Sequence, residues 1–201
     1  MTPGLVVWDF DGVLNQNVVD GRFIWADTLE PDLGLSPESL QSFLFRSGRM
    51  QGVVRGSEDL WKVVSEWLEA EGARLSADAF LAYWFEKDAL PDTEVVAWMA
   101  ALNTRHVIGT NNEARRAAYI EGPMGFSRRV ERVFASGRLG VGKPDDGFFE
   151  AIENWSAVPK ASTLLVDDSA ANVAAALRRG WQAYHFTSAT RAGLPAVLGL
   201  R

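Results

Sequence analysis

A short apolar run that leads directly into two aspartates is the feature that most constrains this chain. Residues 5–8 are apolar and rich in valine, and Asp9, Asp11 and Gly12 follow them closely. The run is too short for a helix and predicts a buried strand with Asp9 at its carboxyl end. Ligands bind at that edge of open α/β sheets, so the two carboxylates are candidates for chemistry. An ordinary strand that ends in an Asp-Gly turn is the alternative.

Composition narrows the classes of protein to which the chain can belong. It has 201 residues, of which 47% are hydrophobic, a net charge of -6 and no cysteine. The length supports one sizeable core, or a core with a small inserted module. The acidic balance argues against a nucleic-acid-binding protein. The lack of cysteine excludes disulfides and thiolate metal sites.

The sequence shows neither a targeting signal nor a membrane-spanning segment. Residues 1–4 lack a basic region and no long apolar stretch follows, so we expect no signal peptide. No apolar run approaches the ~18 residues that a membrane span requires. We therefore expect a cytoplasmic protein with no membrane or nucleic-acid partner, and the sequence leaves its oligomeric state open.

Residues 15–90 have the pattern of helices, with no strand-like run. Ser36 has the character of a helix N-cap, and Ser57 is a candidate for the next one. Apolar residues recur at helical spacing over 60–68, and a helix with an aromatic face follows Ser76. We expect these aromatic side chains to form a small core of their own.

From about residue 91 strands and helices alternate. Strands are predicted at 105–110, 130–135, 162–166 and 182–186. Alternation of this kind is typical of a parallel, doubly wound sheet. The sequence therefore predicts an α/β fold in which residues 1–14 and 91–201 form the core. Residues 15–90 form an inserted α-helical cap beside the strand end that carries Asp9.

Four polar groups fall at predicted strand ends or in the loops after them. They are Asp9 with Asp11, Thr110 with Asn111, Lys143, and Asp167 with Asp168. In a parallel sheet these positions meet at one edge. Four neighbouring carboxylates repel one another unless a cation joins them, and oxygen ligands suit Mg²⁺ above all. Thr110 and the N–H groups at the start of the helix at Glu113 suit phosphate oxygens, and Lys143 adds a positive charge.

Each group also has a simpler interpretation. Thr110 with Asn111 is consistent with a helix cap, and Lys143 with a solvated loop lysine. Asp167 and Asp168 are consistent with an N-cap cluster. Independent caps need not all fall on one edge of a sheet, so the joint placement of the four groups favours a functional site.

In order along the chain, the four groups resemble the motifs of the haloacid dehalogenase-like hydrolase superfamily, in the branch with an α-helical cap inserted after the first motif. The motifs are Asp9-Phe10-Asp11-Gly12-Val13, Gly109-Thr110-Asn111, Lys143-Pro144-Asp145 and Asp167-Asp168. The resemblance covers nearly the whole chain, with the cap matched only in position and helical character. It implies a Rossmann-like catalytic core.

The resemblance also implies a role for each motif residue. Asp9 would be the nucleophile that forms an aspartyl-phosphate, and Asp11 would be the general acid and base. Thr110 and the amide of Asn111 would hold the phosphoryl group, and Lys143 would offset negative charge. The ligands of Mg²⁺ would be Asp9, Asp11 through its main-chain carbonyl, Asp167 and Asp168.

These roles predict a Mg²⁺-dependent phosphatase acting on a small phosphorylated metabolite. One branch of the family removes halide from haloacids without metal, and its members lack the second aspartate of the first motif. Asp11 therefore favours phosphate chemistry. The alternatives are a phosphomutase of the same family, a metal-free haloacid dehalogenase and a catalytically silent phosphate-binding regulatory module.

The position of the insertion predicts a lid. Its two linkers flank the active edge, so the helical module can close over the site and exclude water. Closure leaves room for small soluble phosphates such as sugar phosphates, but not for a folded phosphoprotein. Candidate substrate contacts in the cap, for which a solvated surface charge is the simpler interpretation, are Arg22, Arg46, Arg49 and Arg55.

Overall fold

A five-stranded parallel sheet forms the centre of the molecule, which a computed structural model describes at residues 3–19 and 21–200. The strands of the described chain are β1 (Leu5–Trp8), β2 (Val18–Val19), β3 (Arg22–Phe23), β4 (Arg105–Thr110), β5 (Arg132–Ala135), β6 (Thr163–Asp167) and β7 (Gln182–His185). The order in the large sheet is β5-β4-β1-β6-β7, with every pair parallel. The predicted doubly wound α/β fold is confirmed. The outermost residues of the predicted core, 1, 2 and 201, lie outside the described ranges.

The helices cover both faces of this sheet and make up most of the insertion. Their bounds are α1 (Leu29–Leu33), α2 (Pro37–Leu40), α3 (Arg49–Val54), α4 (Leu60–Ala70), α5 (Ala77–Lys87), α6 (Thr93–Ala101), α7 (Ala114–Glu121), α8 (Ser136–Leu139), α9 (Asp146–Ser156), α10 (Ala170–Arg178) and α11 (Leu194–Leu198). A π-helical segment, Gln41–Arg46, continues α2. Within the described ranges, no helix combines the length and the apolar surface needed to cross a bilayer.

The two faces of the sheet bury separate apolar layers. Val6 and Trp8 of β1 belong to the layer beneath α6, α7 and α11. Leu5 and Val7 belong to the opposite layer, beneath α9 and α10. Successive residues of a strand point to opposite faces, so a central strand covered on both sides must be apolar throughout. This burial explains why the run before Asp9 is continuously hydrophobic.

A third apolar cluster lies within the insertion, residues 15–90, which we call the cap. Its buried members all fall between Trp25 and Phe85. Trp25 stacks on Trp84 with ring centroids 4.5 Å apart, and Trp67 meets Phe80 edge-on at 5.1 Å. The buried aromatic side chains of the cap therefore pack on one another, as their helical spacing predicts.

Two details of the cap differ from the sequence prediction. Strands β2 and β3 pair as an antiparallel ribbon where helices alone were expected. Two residues per strand are too few to leave an alternating pattern. The predicted N-cap at Ser57 is wrong, because the carboxylate of Asp59 accepts the N–H of Lys62 at 3.2 Å and begins α4. The hydroxyl of Ser57 instead donates to the carbonyl of Gly52.

The two linkers of the cap run side by side. The N–H of Gln16 donates to the carbonyl of Leu90 at 2.7 Å. The fully buried side chain of Asn15 donates to the carbonyl of Asp88 and accepts the N–H of Leu90, both at 2.7 Å. The chain thus leaves and rejoins the core at one point, next to the carboxyl end of β1.

Candidate active site

Asp9 directly follows β1 at the point where the strand order reverses. Its N–H donates to the carbonyl of Val166 in β6 at 2.8 Å, and its side chain is buried. The chain builds the sheet outward from β1 in one direction and then returns to place β6 on its other side. Ligands of open α/β sheets bind at such a switch point.

Lys143 joins Asp9 to Asp167. Its Nζ lies 2.9 Å from Oδ1 of Asp9 and 2.6 Å from Oδ2 of Asp167, and the whole side chain is buried. Burial opposes the charge on the ammonium group, but the two carboxylates outweigh it and raise the pKa of Lys143 above its ordinary value. Lys143 is therefore a cation at neutral pH.

Asp167 and Asp168 lie beside Asp9 at the end of β6. Oδ1 of Asp167 accepts the N–H of Ser169 at 2.9 Å and the amide of Asn172 at 3.0 Å, so its carboxylate is held firmly. The carboxylate of Asp168 lies against Gly12, where a Cβ would be 2.5 Å from Oδ2 and φ is +77°. Glycine is required at that position by both backbone conformation and space.

Oxygen atoms of Asp9, Asp167 and Asp168 all lie within 4.8 Å of one another. Burial, reinforced by Asp167, raises the pKa of Asp9 well above its ordinary value, and the pKa of Asp168 is raised for the same reasons. These shifts express the cost of charging carboxylates that are buried close to another carboxylate, a cost that Lys143 offsets in part. A group of oxygen donors with excess negative charge fits a divalent cation.

The carboxylate of Asp11 stands apart from this group. Its Oδ1 accepts the amide of Asn17 and its Oδ2 accepts the amide of Asn112, both at 2.7 Å. Asn112 also donates to the hydroxyl of Thr110 at 2.8 Å. The expectation that four carboxylates converge is therefore corrected to three, because Asn17 of the cap and Asn112 of the core hold the carboxylate of Asp11 outside the group. A metal contact through its main-chain carbonyl stays a prediction.

The loop after β4 carries the predicted phosphate-binding residues. Thr110 is buried at the strand end. The side chain of Asn111 donates to the carbonyl of Lys143 at 2.7 Å and accepts its N–H at 2.8 Å. The side chain of Asn111 thus positions the backbone of Lys143, and its main-chain amide is the candidate for phosphate.

Glu113 occupies the first N–H groups of α7. Its carboxylate accepts the N–H of Arg115 at 2.8 Å and also the N–H of Arg116. The prediction that the start of this helix binds phosphate oxygens is therefore wrong for these two donors. They are already satisfied, and the charge of Glu113 would repel a phosphate.

A buried ion pair that the sequence analysis did not identify adjoins Asp11. Nη2 of Arg116 lies 2.8 Å from Oδ2 of Asp88, and both side chains are almost fully buried. Asn17 donates to Asp88 at 2.8 Å as well as to Asp11. Burial and the charge of Asp11 raise the pKa of Asp88 to about 7. The pair connects the last turn of the cap to α7 and, through Asn17, to Asp11.

A cavity of about 190 Å³ opens between the cap and the core beside Asp11. Its polar end includes Asn112, Glu113 and the Asp88–Arg116 pair. Seven side chains of the cap form its apolar wall: Phe23, Phe45, Met50, Val54, Leu60, Trp84 and Phe85.

The four arginines considered as substrate contacts do not line this cavity in the described structure. Each is paired with a carboxylate at 2.5–3.1 Å: Arg22 with Asp27, Arg46 with Glu38, Arg49 with Glu58 and Glu66, and Arg55 with Asp145. The pair of Arg55 and Asp145 crosses from the cap to the core.

Comparisons with known proteins place the chain in a family and identify solved structures that share its fold. A family model for haloacid dehalogenase-like hydrolases matches residues 3–180. A Porphyromonas gingivalis protein described as a predicted HAD-like family hydrolase has 18% identity and a TM-score of 0.76, with 100% of both chains covered. A HAD family enzyme from Bacteroides thetaiotaomicron, solved in complex with magnesium and inorganic phosphate, has 17% identity, a TM-score of 0.73 and coverage of 92% of this chain and 95% of that one.

A 2-haloacid dehalogenase from Pseudomonas syringae has 22% identity and a TM-score of 0.68, with 99% of both chains covered. At these identities the solved structures show a shared fold. No curated protein matches the sequence.

Proposed function

The chain belongs to the haloacid dehalogenase-like hydrolases, and we propose that it is a Mg²⁺-dependent phosphatase acting on a small phosphorylated metabolite through an aspartyl-phosphate. The position of Asp11 carries this proposal. Asn17 and Asn112 hold its carboxylate outside the three-carboxylate group and at the edge of the cavity. A separate carboxylate in that place suits proton transfer to the leaving group.

In the first step Asp9 attacks phosphorus. Its Oδ1 accepts the N–H of Phe10 at 2.7 Å and contacts Lys143, so we assign the attack to Oδ2. The new bond joins Oδ2 to phosphorus while the bond between phosphorus and the ester oxygen breaks. Asp11, in its protonated form, gives its proton to the departing oxygen, and the alcohol leaves.

In the second step water attacks the phosphorus of the aspartyl-phosphate. Asp11, now ionised, takes a proton from that water, and the bond from phosphorus to Oδ2 of Asp9 breaks to release inorganic phosphate. Thr110, the main-chain amide of Asn111 and Lys143 hold the phosphoryl oxygens in both steps. Phosphoryl transfer depends mostly on positioning and charge stabilisation, which these groups supply.

The three-carboxylate group of Asp9, Asp167 and Asp168 would hold Mg²⁺, together with the main-chain carbonyl of Asp11. When bound, the ion supplies positive charge that offsets the repulsion between phosphoryl oxygens and carboxylates. The oxygen-only donor set supports this assignment. So does the magnesium and phosphate complex of the Bacteroides enzyme that shares the fold.

Metal-free dehalogenation is the second candidate, since 2-haloacid dehalogenases share the fold. Attack by Asp9 on carbon would expel halide, which needs no proton from a general acid. The family's dehalogenases lack the second aspartate of the first motif, whereas Asp11 is present and held by two hydrogen bonds. A phosphomutase would use the same core residues and pass the phosphoryl group to a second alcohol.

One assay separates the phosphatase, the dehalogenase and the regulatory module. The purified chain is given acetyl phosphate, a phosphate ester panel or 2-chloropropionate, and the release of phosphate or chloride is measured with EDTA and then with added Mg²⁺. We expect phosphate release that EDTA abolishes and Mg²⁺ restores, and loss of it in Asp9→Asn. Chloride release in metal-free buffer would overturn the proposal in favour of a dehalogenase. Binding of phosphate without any turnover would favour the regulatory module.

A further inference from the structure

We propose that the substrate's leaving group is a compact apolar alcohol, one carbocyclic or aromatic ring on at most a methylene, and that sugar phosphates are poor substrates. This inference rests on the phosphatase function proposed above and names its substrate class. It keeps the expectation of a small phosphate ester from the sequence but replaces sugar phosphates with apolar esters. The cavity beside Asp11 supplies the argument, because the leaving oxygen must lie near that carboxylate.

The wall of the cavity offers almost no hydrogen bonds to a ligand. Of its seven side chains, Trp84 alone carries a polar atom. Phe45 and Met50 are half-buried, while Trp84 and Phe85 are each 7% exposed. A sugar hydroxyl moved from water against this wall would lose its hydrogen bonds without replacement. An apolar ring would bury its surface there favourably.

The carboxylates at the polar end of the cavity are already engaged by the protein's own groups. Asp11 accepts two asparagine amides, and Asp88 is paired with Arg116. Glu113 accepts two backbone N–H groups of α7. A polyhydroxylated ligand would therefore have to compete with these bonds, whereas an apolar ligand leaves them intact.

Charge excludes a second anionic group on the substrate. Among the described residues, three carboxylates, those of Asp11, Asp88 and Glu113, line the cavity, against one guanidinium, that of Arg116. The four arginines named above are paired outside it. Bisphosphates and phosphorylated carboxylic acids would bring negative charge to an end of the cavity that is already negative.

The size of the cavity sets the size of the ring. An engineered apolar cavity of roughly 150 Å³ accommodates benzene. The cavity here measures about 190 Å³. This volume matches one six-membered ring with one or two further heavy atoms and is too small to enclose a nucleoside or a long acyl chain.

A matched pair of esters tests the proposal. Cyclohexylmethyl phosphate and a hexopyranose 6-phosphate share a six-membered ring and an exocyclic methylene and differ chiefly in hydroxyl groups and the ring oxygen. With Mg²⁺ present, we expect kcat/KM for the cyclohexylmethyl ester to exceed that for the sugar ester by at least about 100-fold. Equal values, or a preference for the sugar, would overturn the inference.

Acetyl phosphate separates failure of this inference from failure of the proposed function. Its leaving group, acetate, is so small that its rate of hydrolysis should not depend on contacts with the apolar wall. If acetyl phosphate is hydrolysed but cyclohexylmethyl phosphate is not preferred over the sugar ester, the phosphatase function is supported and the proposed substrate class is overturned. No hydrolysis of any of the three would overturn both.

Two phenylalanines of one segment provide a variant and its control. Phe45 lines the cavity. Phe43 is also partly buried in the same π-helical segment, but it lies under Arg49, 5.3 Å from its guanidinium. Phe45→Asn should reduce the preference for the cyclohexylmethyl ester by about 10-fold or more, and Phe43→Asn should leave it unchanged.

Met50→Gln, which keeps the length of a second wall side chain, provides the test if Phe45→Asn fails to fold. An unchanged preference in the folded wall variant, or an equal loss in Phe43→Asn, would contradict the assignment.

Discussion

At the scale of single residues, two asparagines decide where the carboxylate of Asp11 points. Asn17 donates to one oxygen and Asn112 to the other, each at 2.7 Å. Both carboxylate oxygens therefore act as hydrogen-bond acceptors. An asparagine at position 11 would place its own N–H₂ against one of these donors, so alanine is the cleaner replacement.

Asp11→Ala should slow an alkyl phosphate far more than acetyl phosphate. Loss of a general acid costs roughly 100- to 10,000-fold when the leaving alkoxide needs a proton. The acetate that leaves from acetyl phosphate is stable without one. The measurement is the single-turnover rate of the phosphorylation step with each substrate. An equal loss with both would show that Asp11 is not the proton donor to the leaving group.

Asp88 should make stability depend on pH. Its folded pKa of about 7 lies above the ordinary 3.8, so the folded state holds this proton more tightly than the unfolded chain. This stabilisation is fully present below the ordinary pKa of 3.8 and is lost as the pH rises through the folded pKa of about 7. Between pH 5 and 7 the free energy of unfolding should fall by up to about 1.4 kcal/mol per pH unit because of this group.

Urea unfolding of the wild type and Asp88→Asn between pH 5 and 7 measures this slope. The variant should be less stable overall because Arg116 loses its partner, but its slope should be smaller. Asp92→Asn is the control, and its slope should match that of the wild type. Burial raises the pKa of Asp92, but Arg191 and a backbone N–H of α6 outweigh burial and lower it, so this group is ionised throughout the range. Equal slopes in wild type and Asp88→Asn would contradict the assignment.

The residues that could be predicted from sequence are those placed by the sheet alone. Asp9, Thr110 and Asp167 lie at the carboxyl ends of parallel strands. These ends meet at one edge of the sheet, whatever the path of the connecting segments. Asn17 and Asp88 could not be placed, because their contact spans 71 residues and depends on how the cap returns to the core. One feature of the sequence could have indicated that Arg116 is buried: it is a charged residue next to Ala117, on the inner face of an amphipathic helix.

At the scale of elements, the turn after α3 in the cap lies very close to α8 in the core. Gly56, after α3, has φ +73°, and a Cβ there would lie 2.5 Å from the carbonyl oxygen of Gly137 in α8. The hydroxyl of Ser136 donates to the carbonyl of Val54 at the same contact. These contacts join the cap to the core beside Val54, which lines the cavity.

Gly56→Ala should therefore hinder closure of the cap. Gly72 is the matched control, because it has φ +64° and nothing within 4 Å of an added Cβ. Both variants bear the roughly 1–2 kcal/mol cost of a left-handed alanine, but only Gly56→Ala collides with the core. We expect kcat/KM for a small ester to fall about 100-fold in Gly56→Ala and to stay near the wild-type value in Gly72→Ala. Similar activity in both would argue against closure through this contact.

Helices and strands could be predicted where the periodic pattern of apolar residues is long, and could not be predicted where it is short. The alternation after residue 91 predicted the strands and helices of the sheet because each is several residues of consistent period. The ribbon of β2 and β3 is too short for a period and was missed. The start of α4 was misplaced because Ser57 and Asp59 are both good capping residues, and the local backbone decides between them.

At the scale of the whole molecule, the three-carboxylate group should couple metal binding to stability. A cation that binds the folded chain alone raises its stability by mass action, by about 2.7 kcal/mol at 100 times its Kd. Mg²⁺ should therefore raise Tm in calorimetry in the absence of substrate. Asp168→Asn should weaken this rise, and Asp78→Asn, which removes the same charge from an exposed site of the cap, should not. A rise that is the same in all three proteins would contradict the site.

The central claim is that Asp9 receives the phosphoryl group. Its most direct test is to quench the Mg²⁺-loaded chain in acid during turnover, reduce it with borohydride and map the modified residue by mass spectrometry. The reductant converts an aspartyl-phosphate to homoserine, so we expect homoserine at position 9 with cyclohexylmethyl phosphate and none in Asp9→Asn or with 2-chloropropionate. Homoserine at another aspartate, or at position 9 with the haloacid alone, would contradict the account.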